Sequence, residues 1–331
     1  MEERLTAPRA ERMALAGGEL LVEVADGLAT ATLNRPQVLN ALSHAMIEGL
    51  SECLDAWEGD RTVQSIVLRG AGEKAFCAGG DLREVRTRLL ARDPGLLPFF
   101  EREYALDLRI HEYPKPITAE IDGIVMGGGM GISQGARTRI VGERTRMAMP
   151  ETAIGLFPDV GGSYFLSRVP GKLGLYLALA GPTIGAADAL YCGLADTHAP
   201  RSPVGTSELE MLRPAIDEHF ALPTVEAIFA SLQREERPTY REWAARTLEK
   251  LGRNSPTMLK VTLEQIRRGA AMPLADCFRM ELGMVRAALD HGDFAEGIRA
   301  LIIDKDNMPR WNPARLEAVT PAMVERFFQE A

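Results

Sequence analysis

The chain has 331 residues, of which 46% are hydrophobic, and a formal net charge of -8, so it can bury a large core but is a poor partner for nucleic acid or an anionic membrane surface. Its four cysteines lack CxxC spacing and its five histidines form no HExxH or HxxxH motif, which argues against a disulfide scaffold and a histidine-based metal site. No apolar run approaches the length of a membrane span.

The first predicted elements are a β-hairpin and an amphipathic helix. Residues 20–24 and 28–33 are β-rich, and the intervening Ala25-Asp26-Gly27 tolerates the positive φ angles of a tight turn. Ser43 is a predicted N-cap for a helix with one buried face. Residues 1–18 lack a hydrophobic signal core and carry Glu as well as Arg, so we interpret them as a flexible N-terminus.

The middle of the chain alternates strands with helices. Strands are predicted at residues 66–68, 117–121, 139–141 and 147–149. A glycine-rich loop at 70–81 precedes a helical pattern at 82–111, which is interrupted near Pro94 and Pro98. The small residues of 127–135 predict the start of a tightly packed helix. This alternation is typical of an α/β fold.

The pattern becomes almost purely helical after about residue 204. Helices are predicted at residues 207–220, 239–251, 257–269, 277–289 and 324–328. We therefore divide the chain into a flexible N-terminus at 1–18, an α/β core at 19–204 and a helical region at 205–331. No fixed-period repeat interrupts this division.

Three glycine-containing loops each follow a predicted strand. They are residues 76–81 (FCAGGD), 127–131 (GGGMG) and 150–162 (PETAIGLFPDVGG). Glycines let a backbone approach a ligand and expose its N–H groups, and two such loops can direct two donors at one carbonyl oxygen, as in an oxyanion hole. Gly128 lies near a predicted helix N-terminus, where the helix dipole favours negative charge on a bound group. The alternative is that these glycines serve only turns and packing.

Two other motifs have weaker support. Residues 131–135 formally match GxSxG, but Ser133 falls about two turns into a predicted helix, whereas a nucleophile elbow places the serine directly after a strand. The GxGxxG that begins at Gly127 fails at Ile132, and no GxxxxGK[ST] occurs. Dinucleotide and nucleoside triphosphate binding therefore lack support.

The third loop contains two carboxylates, Glu151 and Asp159, eight positions apart. A loop rich in glycine and proline can fold back and bring both to one cavity, where paired carboxylates divide acid and base roles. Apolar neighbours would desolvate one of them. From the spacing alone, a helix-capping role for Glu151 and a turn role for Asp159 are the simpler interpretation.

Together these motifs resemble a known family. Residues 76–81 and 126–129 resemble the paired oxyanion loops of the crotonase (enoyl-CoA hydratase/isomerase) superfamily. Further segments resemble its 3-hydroxyisobutyryl-CoA hydrolase branch, at residues 149–162, 292–300, 303–306 and 311–313. The resemblance covers roughly residues 20 to 330. It implies a crotonase fold, a spiral of ββα units with a C-terminal helical region, and hydrolysis of a short branched β-hydroxyacyl-CoA thioester, 3-hydroxyisobutyryl-CoA, in valine catabolism.

The resemblance also assigns roles to individual residues. The backbone N–H groups of Ala78 and Gly128 would polarise the thioester carbonyl. Glu151 would attack the thioester or activate a water, Asp159 would position water and transfer a proton, and Glu103 would contact the substrate. Without the family, Glu103 is simply part of a solvated helix face.

The resemblance sets further expectations for ligands, assembly and location. It implies acyl-CoA as the substrate, no metal, and no cofactor beyond the coenzyme A of that substrate. Homo-oligomerisation is left open. We expect a cytoplasmic protein, with the mitochondrial matrix as the alternative in a eukaryote.

One position departs from the hydratases of the superfamily. A hydratase uses a second glutamate from the oxyanion helix, where this chain has Gly131. The missing acid removes half of the acid–base pair for adding water to a double bond, which favours hydrolysis. An enoyl-CoA hydratase or isomerase and a non-catalytic crotonase-fold binding protein, such as an RNA-binding protein, are the alternatives.

Overall fold

Two β-sheets and a set of surrounding helices make up the computed structural model, which describes residues 11–200 and 204–329. The strands are β1 (Glu11–Leu15), β2 (Leu20–Ala25), β3 (Leu28–Leu33), β4 (Ser65–Gly70), β5 (Ala75–Cys77), β6 (Ile117–Ile121), β7 (Ile124–Met126), β8 (Thr138–Val141), β9 (Arg146–Ala148) and β10 (Thr197–His198). The α-helices are α1 (His44–Gly59), α2 (Leu82–Leu90), α3 (Leu96–Glu112), α4 (Gly128–Gln134), α5 (Gly162–Phe165), α6 (Leu173–Ala180), α7 (Ala186–Tyr191), α8 (Glu208–Phe220), α9 (Val225–Gln233), α10 (Arg241–Arg253), α11 (Pro256–Gly269), α12 (Leu274–His291), α13 (Asp293–Ile298) and α14 (Pro321–Glu325).

The strands are distributed between the sheets in a repeating way. The large sheet has the order β1-β2-β3-β4-β6-β8-β10 and is parallel from β3 onward. The small sheet, β5-β7-β9, is parallel throughout. Each of β4, β6 and β8 is followed by one strand of the small sheet and then by helix. This confirms the predicted α/β class and the spiral of ββα units.

The N-terminal hairpin forms as predicted, but one strand precedes it. Asp26 and Gly27 both have positive φ, 52° and 84°, the geometry of a tight hairpin turn. Strand β1 pairs antiparallel with β2, so the prediction of a flexible terminus is wrong for residues 11–18. An edge strand forms through backbone hydrogen bonds and needs no apolar pattern, and residues 11–18 have no such pattern. Residues 1–10 lie outside the described residues.

The predicted helix boundaries largely hold. Ser43 caps α1 by accepting a hydrogen bond from the N–H of Met46. The predicted interruption near Pro94 separates α2 from α3, and Pro98 lies in the first turn of α3, where a missing N–H costs nothing. The predicted loop at 70–81 contains the short strand β5.

The helical region contains no strand between residues 204 and 329, as predicted. Five helices were missed: α5, α6 and α7 in the core, and α9 and α13 in the helical region. Every residue of α6 is buried, so it lacks the polar face on which helical periodicity depends. Among the described helices, none is long and apolar enough to span a bilayer.

Candidate active site

A cavity of about 320 Å³ lies at the carboxyl ends of the small-sheet strands. Parallel strands place the loops that follow them at one edge of a sheet, and here the loop after β5, the start of α4 after β7 and the turn after β9 all line the cavity. Side chains from α2, α3 and the C-terminal segment complete the wall: Leu82, Val85, Phe99, Phe100, Glu103, Phe294, Leu301 and Ile302. The helical region thus covers the site.

Gly128 lies where an oxyanion donor is expected. It is the first residue of α4, so its N–H has no acceptor within the helix. The loop after β5 faces it closely, because a β-carbon placed on Gly79 would lie 3.3 Å from the nitrogen of Gly128. Gly79 and Gly127 both have positive φ, which a glycine adopts without strain.

The free amide of the loop after β5 belongs to Gly80, so the prediction of Ala78 as an oxyanion donor is wrong. The N–H of Ala78 donates to the carbonyl of Leu39 at 3.0 Å and is therefore occupied. No hydrogen bond within residues 11–200 and 204–329 uses the N–H of Gly80, which lines the cavity 3.5 Å from the β-carbon position of Gly128. The pairing of Gly79 and Asp81 with Leu42 leaves the amide between them free, and a motif cannot show which amide of a loop is left over.

Glu151 begins a short 3-10 helix directly after β9. Its side chain is buried, and Oε1 lies 3.1 Å from the β-carbon position of Gly127, beside the oxyanion loop. Oε2 has no hydrogen-bond partner among the described residues. Burial, and then the charge of Asp159, raise the pKa of Glu151 well above its usual value. Both the burial and the nearby charge therefore favour the neutral form of Glu151.

Asp159 differs from Glu151 in accepting a side-chain hydrogen bond. The hydroxyl of Tyr104 donates to its Oδ2 at 2.7 Å, and both groups are buried. Burial raises the pKa of Asp159 to about 6, while the Tyr104 hydroxyl and the backbone N–H of Asp159 act in the opposite direction. Tyr104 was not predicted as a site residue. Its position beside Glu103 on the buried face of α3 is the one feature that indicates such a role.

Helix α3 supplies two more buried acids, Glu103 and Asp107, one turn apart. Glu103, the predicted substrate contact, lines the cavity. Burial, followed by the charge of Asp159, raises its pKa to about 8. Asp107 was missed. Its Oδ2 lies 2.5 Å from the β-carbon position of Gly131, so it occupies the space of a side chain at that position.

The surroundings of Asp107 favour its uncharged form. Its two carboxyl oxygens have no partner among the described residues, and burial raises its pKa well above its usual value. It also borders a larger, open cavity of about 690 Å³, which shares Val160 with the candidate site. Asp107 therefore lines the larger cavity and is not among the residues that line the candidate site.

The competing nucleophile motif has no suitable geometry. Ser133 is fully buried inside α4 and donates to the carbonyl of Met130 at 3.1 Å. It is not at a strand-to-helix turn, so it cannot act as an exposed nucleophile. In the described part of the chain, no three His, Cys, Asp or Glu side chains are arranged to hold a metal ion.

Comparisons with known proteins identify the family of the chain. The sequence profile of the enoyl-CoA hydratase/isomerase family matches residues 28–206 and 197–328. The mitochondrial 3-hydroxyisobutyryl-CoA hydrolase of Gallus gallus is 41% identical, with 94% of this chain and 89% of that protein covered. The probable 3-hydroxyisobutyryl-CoA hydrolase 2 of Arabidopsis thaliana is 38% identical, with 94% and 91% covered.

Solved structures with similar folds carry other names. A crystal structure named as a carnitinyl-CoA dehydratase from Mycobacterium thermoresistibile superimposes with a TM-score of 0.90 at 39% identity, covering 95% of this chain and 97% of that one. One named as an enoyl-CoA hydratase from Rhodobacter sphaeroides gives 0.88 at 37% identity, with 94% and 97% covered.

Proposed function

The chain belongs to the enoyl-CoA hydratase/isomerase family, and we propose that it hydrolyses 3-hydroxyisobutyryl-CoA to 3-hydroxyisobutyrate and coenzyme A, a step of valine catabolism. The observation that carries the proposal is one small cavity bordered by two free backbone amides and three buried carboxyl groups, those of Glu103, Glu151 and Asp159. Its mostly apolar wall and volume of about 320 Å³ suit a short branched acyl group.

The amides of Gly80 and Gly128 would bind the thioester carbonyl oxygen. Negative charge builds up on that oxygen as the carbonyl carbon becomes tetrahedral, so both hydrogen bonds strengthen in the transition state. Each such donor is worth roughly 3 kcal/mol of barrier lowering. The start of α4 adds the positive end of its dipole at Gly128.

Asp159 and Glu151 would divide the proton transfers. The ionised Asp159 takes a proton from water as the water oxygen bonds to the carbonyl carbon. The carbon–sulfur bond then breaks, and neutral Glu151 gives its proton to the leaving sulfur. This division is the reverse of the sequence-based expectation. The Tyr104 hydroxyl supports it by favouring the charged form of Asp159, whereas Glu151 is buried with Oε2 unpartnered among the described residues, which favours its neutral form.

Thiol release from 3-hydroxyisobutyryl-CoA tests the function. We expect turnover by the parent protein and a loss of about 100-fold or more in kcat for Asp159→Asn and Glu151→Gln. Ser133→Ala is the matched control and should retain turnover, because that hydroxyl contacts only the backbone of its own helix. A parent protein that releases no thiol from this or other short acyl-CoA thioesters would contradict the proposal.

Oxygen-18 labelling separates the water route from direct attack by Glu151. A protonated carboxyl is a poor nucleophile, so in a single turnover in labelled water the heavy oxygen should enter only the released acid. Label found in the side chain of Glu151 by peptide mass spectrometry would instead establish a mixed anhydride.

Hydration of an enoyl-CoA is the second candidate function, because the two similar crystal structures are named as a hydratase and a dehydratase. Hydration in this superfamily uses an acid at the position of Gly131. Here a β-carbon at that position would lie 2.5 Å from Asp107 Oδ2 and 2.7 Å from Val160 Cβ. We therefore expect crotonyl-CoA hydration to be negligible beside thiol release, which the loss of crotonyl-CoA absorbance would check.

Coenzyme A enters this mechanism only as part of the substrate, and no metal or other cofactor is needed. The oligomeric state stays open, and sedimentation of the full chain would establish it. The vertebrate relatives are named as mitochondrial, which agrees with the matrix alternative for a eukaryotic protein. The cytoplasmic location stays a prediction.

A further inference from the structure

The loop that carries Asp159 turns sharply just after it. Val160 has φ of 51°, a left-handed conformation that a β-branched residue rarely adopts, and Gly161 follows with φ of 87°. Such a conformation persists only where the surrounding structure imposes it, and it often marks a functional site. The contacts of residues 158–163 show what imposes it here.

Two side chains from the helical region bind this loop on both sides of Asp159. Gln265 of α11 donates from Nε2 to the carbonyl of Pro158 at 2.6 Å and to the hydroxyl of Ser163 at 2.9 Å. Glu281 of α12 accepts the N–H of Gly161 at 2.7 Å and that of Ser163 at 2.8 Å. Both side chains are fully buried.

We propose that Gln265 and Glu281, here called the loop clamp, are positioning residues that direct the carboxyl group of Asp159 at the thioester. This inference rests on the proposed function, because it assigns a role to the loop in that reaction. In this proposal the helical region both covers the active site and positions one of its reacting groups.

The chemistry of Glu281 argues against a role in packing alone. Burying a carboxyl group is costly unless it is paired, and no ion pair of the described residues involves Glu281. Burial raises its pKa to about 8, and its hydrogen bonds to Gly161 and Ser163 limit that rise. Among the described residues, all hydrogen bonds of the Glu281 side chain go to the turn after Asp159. The buried carboxyl group therefore stabilises that turn.

The same helix also supports the partner of Asp159. The ring of Phe278, one turn before Glu281, lies 5.7 Å from that of Tyr104, whose hydroxyl donates to Asp159. Phe278 also lies 3.1 Å from the β-carbon position of Gly161. Helix α12 therefore fixes both the turn and the hydroxyl that orients the carboxylate.

The test compares Glu281→Gln and Gln265→Met with the parent and with Thr262→Val. Glutamine keeps one acceptor oxygen but replaces the other with a donor facing an N–H, and methionine keeps the length of Gln265 without its donor. Thr262 is equally buried in α11 and its hydroxyl has no partner among the described residues, so its valine variant controls for changing a buried polar group.

We expect kcat to fall about 10- to 100-fold in both clamp variants with KM changed less than about threefold, because a misplacement near 1 Å can cost about 100-fold in rate. Thr262→Val should stay within about twofold of the parent. Hydrogen exchange should accelerate at the amides of residues 161–163 in Glu281→Gln but not in Thr262→Val. Melting curves restrict the comparison to folded protein.

Values of kcat within twofold of the parent for both clamp variants, or a rise in KM without a fall in kcat, would overturn the proposal. Unchanged exchange at residues 161–163 in Glu281→Gln would do so as well. These outcomes are distinct from failure of the proposed function. That failure would show as an inactive parent protein, while the exchange measurement would still test whether Glu281 holds the turn.

Discussion

Replacing Tyr104 with phenylalanine tests the electrostatics of the site with a single atom. The hydroxyl of Tyr104 donates to Asp159 Oδ2 at 2.7 Å, and its ring packs against Phe100 and Phe278. Tyr104→Phe removes the donor and keeps the ring contacts. The carboxylate of Asp159 then loses a stabilising partner while its neutral form loses little, so its pKa must rise.

The size of the shift follows from the bond. A hydrogen bond to a charged group is worth about 1.5–3 kcal/mol, and one pKa unit corresponds to 1.36 kcal/mol, which gives a rise of roughly 1–2 units. The parent pKa of about 6 would become roughly 7–8. Because ionised Asp159 is the proposed base, kcat at pH 6 should fall about 5- to 50-fold, whereas well above pH 8 it should fall about twofold or less.

The assay is a profile of kcat for thiol release between pH 5 and 9 for the parent, Tyr104→Phe and Tyr113→Phe. Tyr113, which lies just beyond the end of α3, is the matched control. Its hydroxyl donates to the backbone carbonyl of Leu54 and does not touch the site. An acidic limb that stays near pH 6 in Tyr104→Phe, or that moves equally in Tyr113→Phe, would refute the assignment of that limb to Asp159.

Three further expectations concern glycines and a buried acid. Gly128→Ala should lower kcat/KM about 100-fold, because its β-carbon would overlap Glu103 Oε1 and displace an oxyanion donor. Gly80→Ala should lower kcat/KM far less, because nothing lies within 4 Å of its β-carbon position. Steady-state kinetics of the two variants measure this difference. Gly131→Ala should destabilise the fold by about 1–3 kcal/mol through its overlap with Asp107 and Val160, which urea unfolding measures. The pKa of Glu103 is raised to about 8 in the folded state, so the parent protein loses stability as the pH rises from about 4.5 towards 8. Glu103→Gln should therefore be more stable than the parent at pH 8 and lose that advantage at pH 5. Equal stability differences between the two proteins at both pH values would contradict this expectation.

Local sequence patterns were sufficient to predict the parts of the site that depend on chain order. The three loops at one edge of the small sheet follow from strand, glycine and carboxylate in sequence, and Glu151 lies on that edge as the motif indicated. Gly128 could be predicted because a helix start leaves an amide free. The choice between Ala78 and Gly80 could not be made in that way, since it depends on which amide pairs with residues 39–42 on another segment.

The missed residues share one physical reason. Tyr104 and Asp107 are ordinary members of an amphipathic helix until α3 packs against the loop of Asp159 and against α4. Gln265 and Glu281 contact residues 102 to 120 positions away along the chain. No spacing within a motif encodes such contacts, and only the docking of the helical region on the core creates them.

The concentration of buried acids explains why so many contacts are devoted to one carboxylate. Glu103, Asp107, Glu151, Asp159 and Glu281 are all buried, and no cation pairs with any of them in the described part of the chain. Their mutual repulsion and burial permit few negative charges at neutral pH. The Tyr104 hydroxyl acts against the rise in pKa at Asp159 and favours its charged form, and the proposed role of the loop clamp is to orient that carboxylate. Hydrolysis needs one base and one proton donor within reach of the same carbonyl carbon. A site in which burial favours the neutral form of Glu151 and the Tyr104 hydroxyl favours the charged form of Asp159 supplies both.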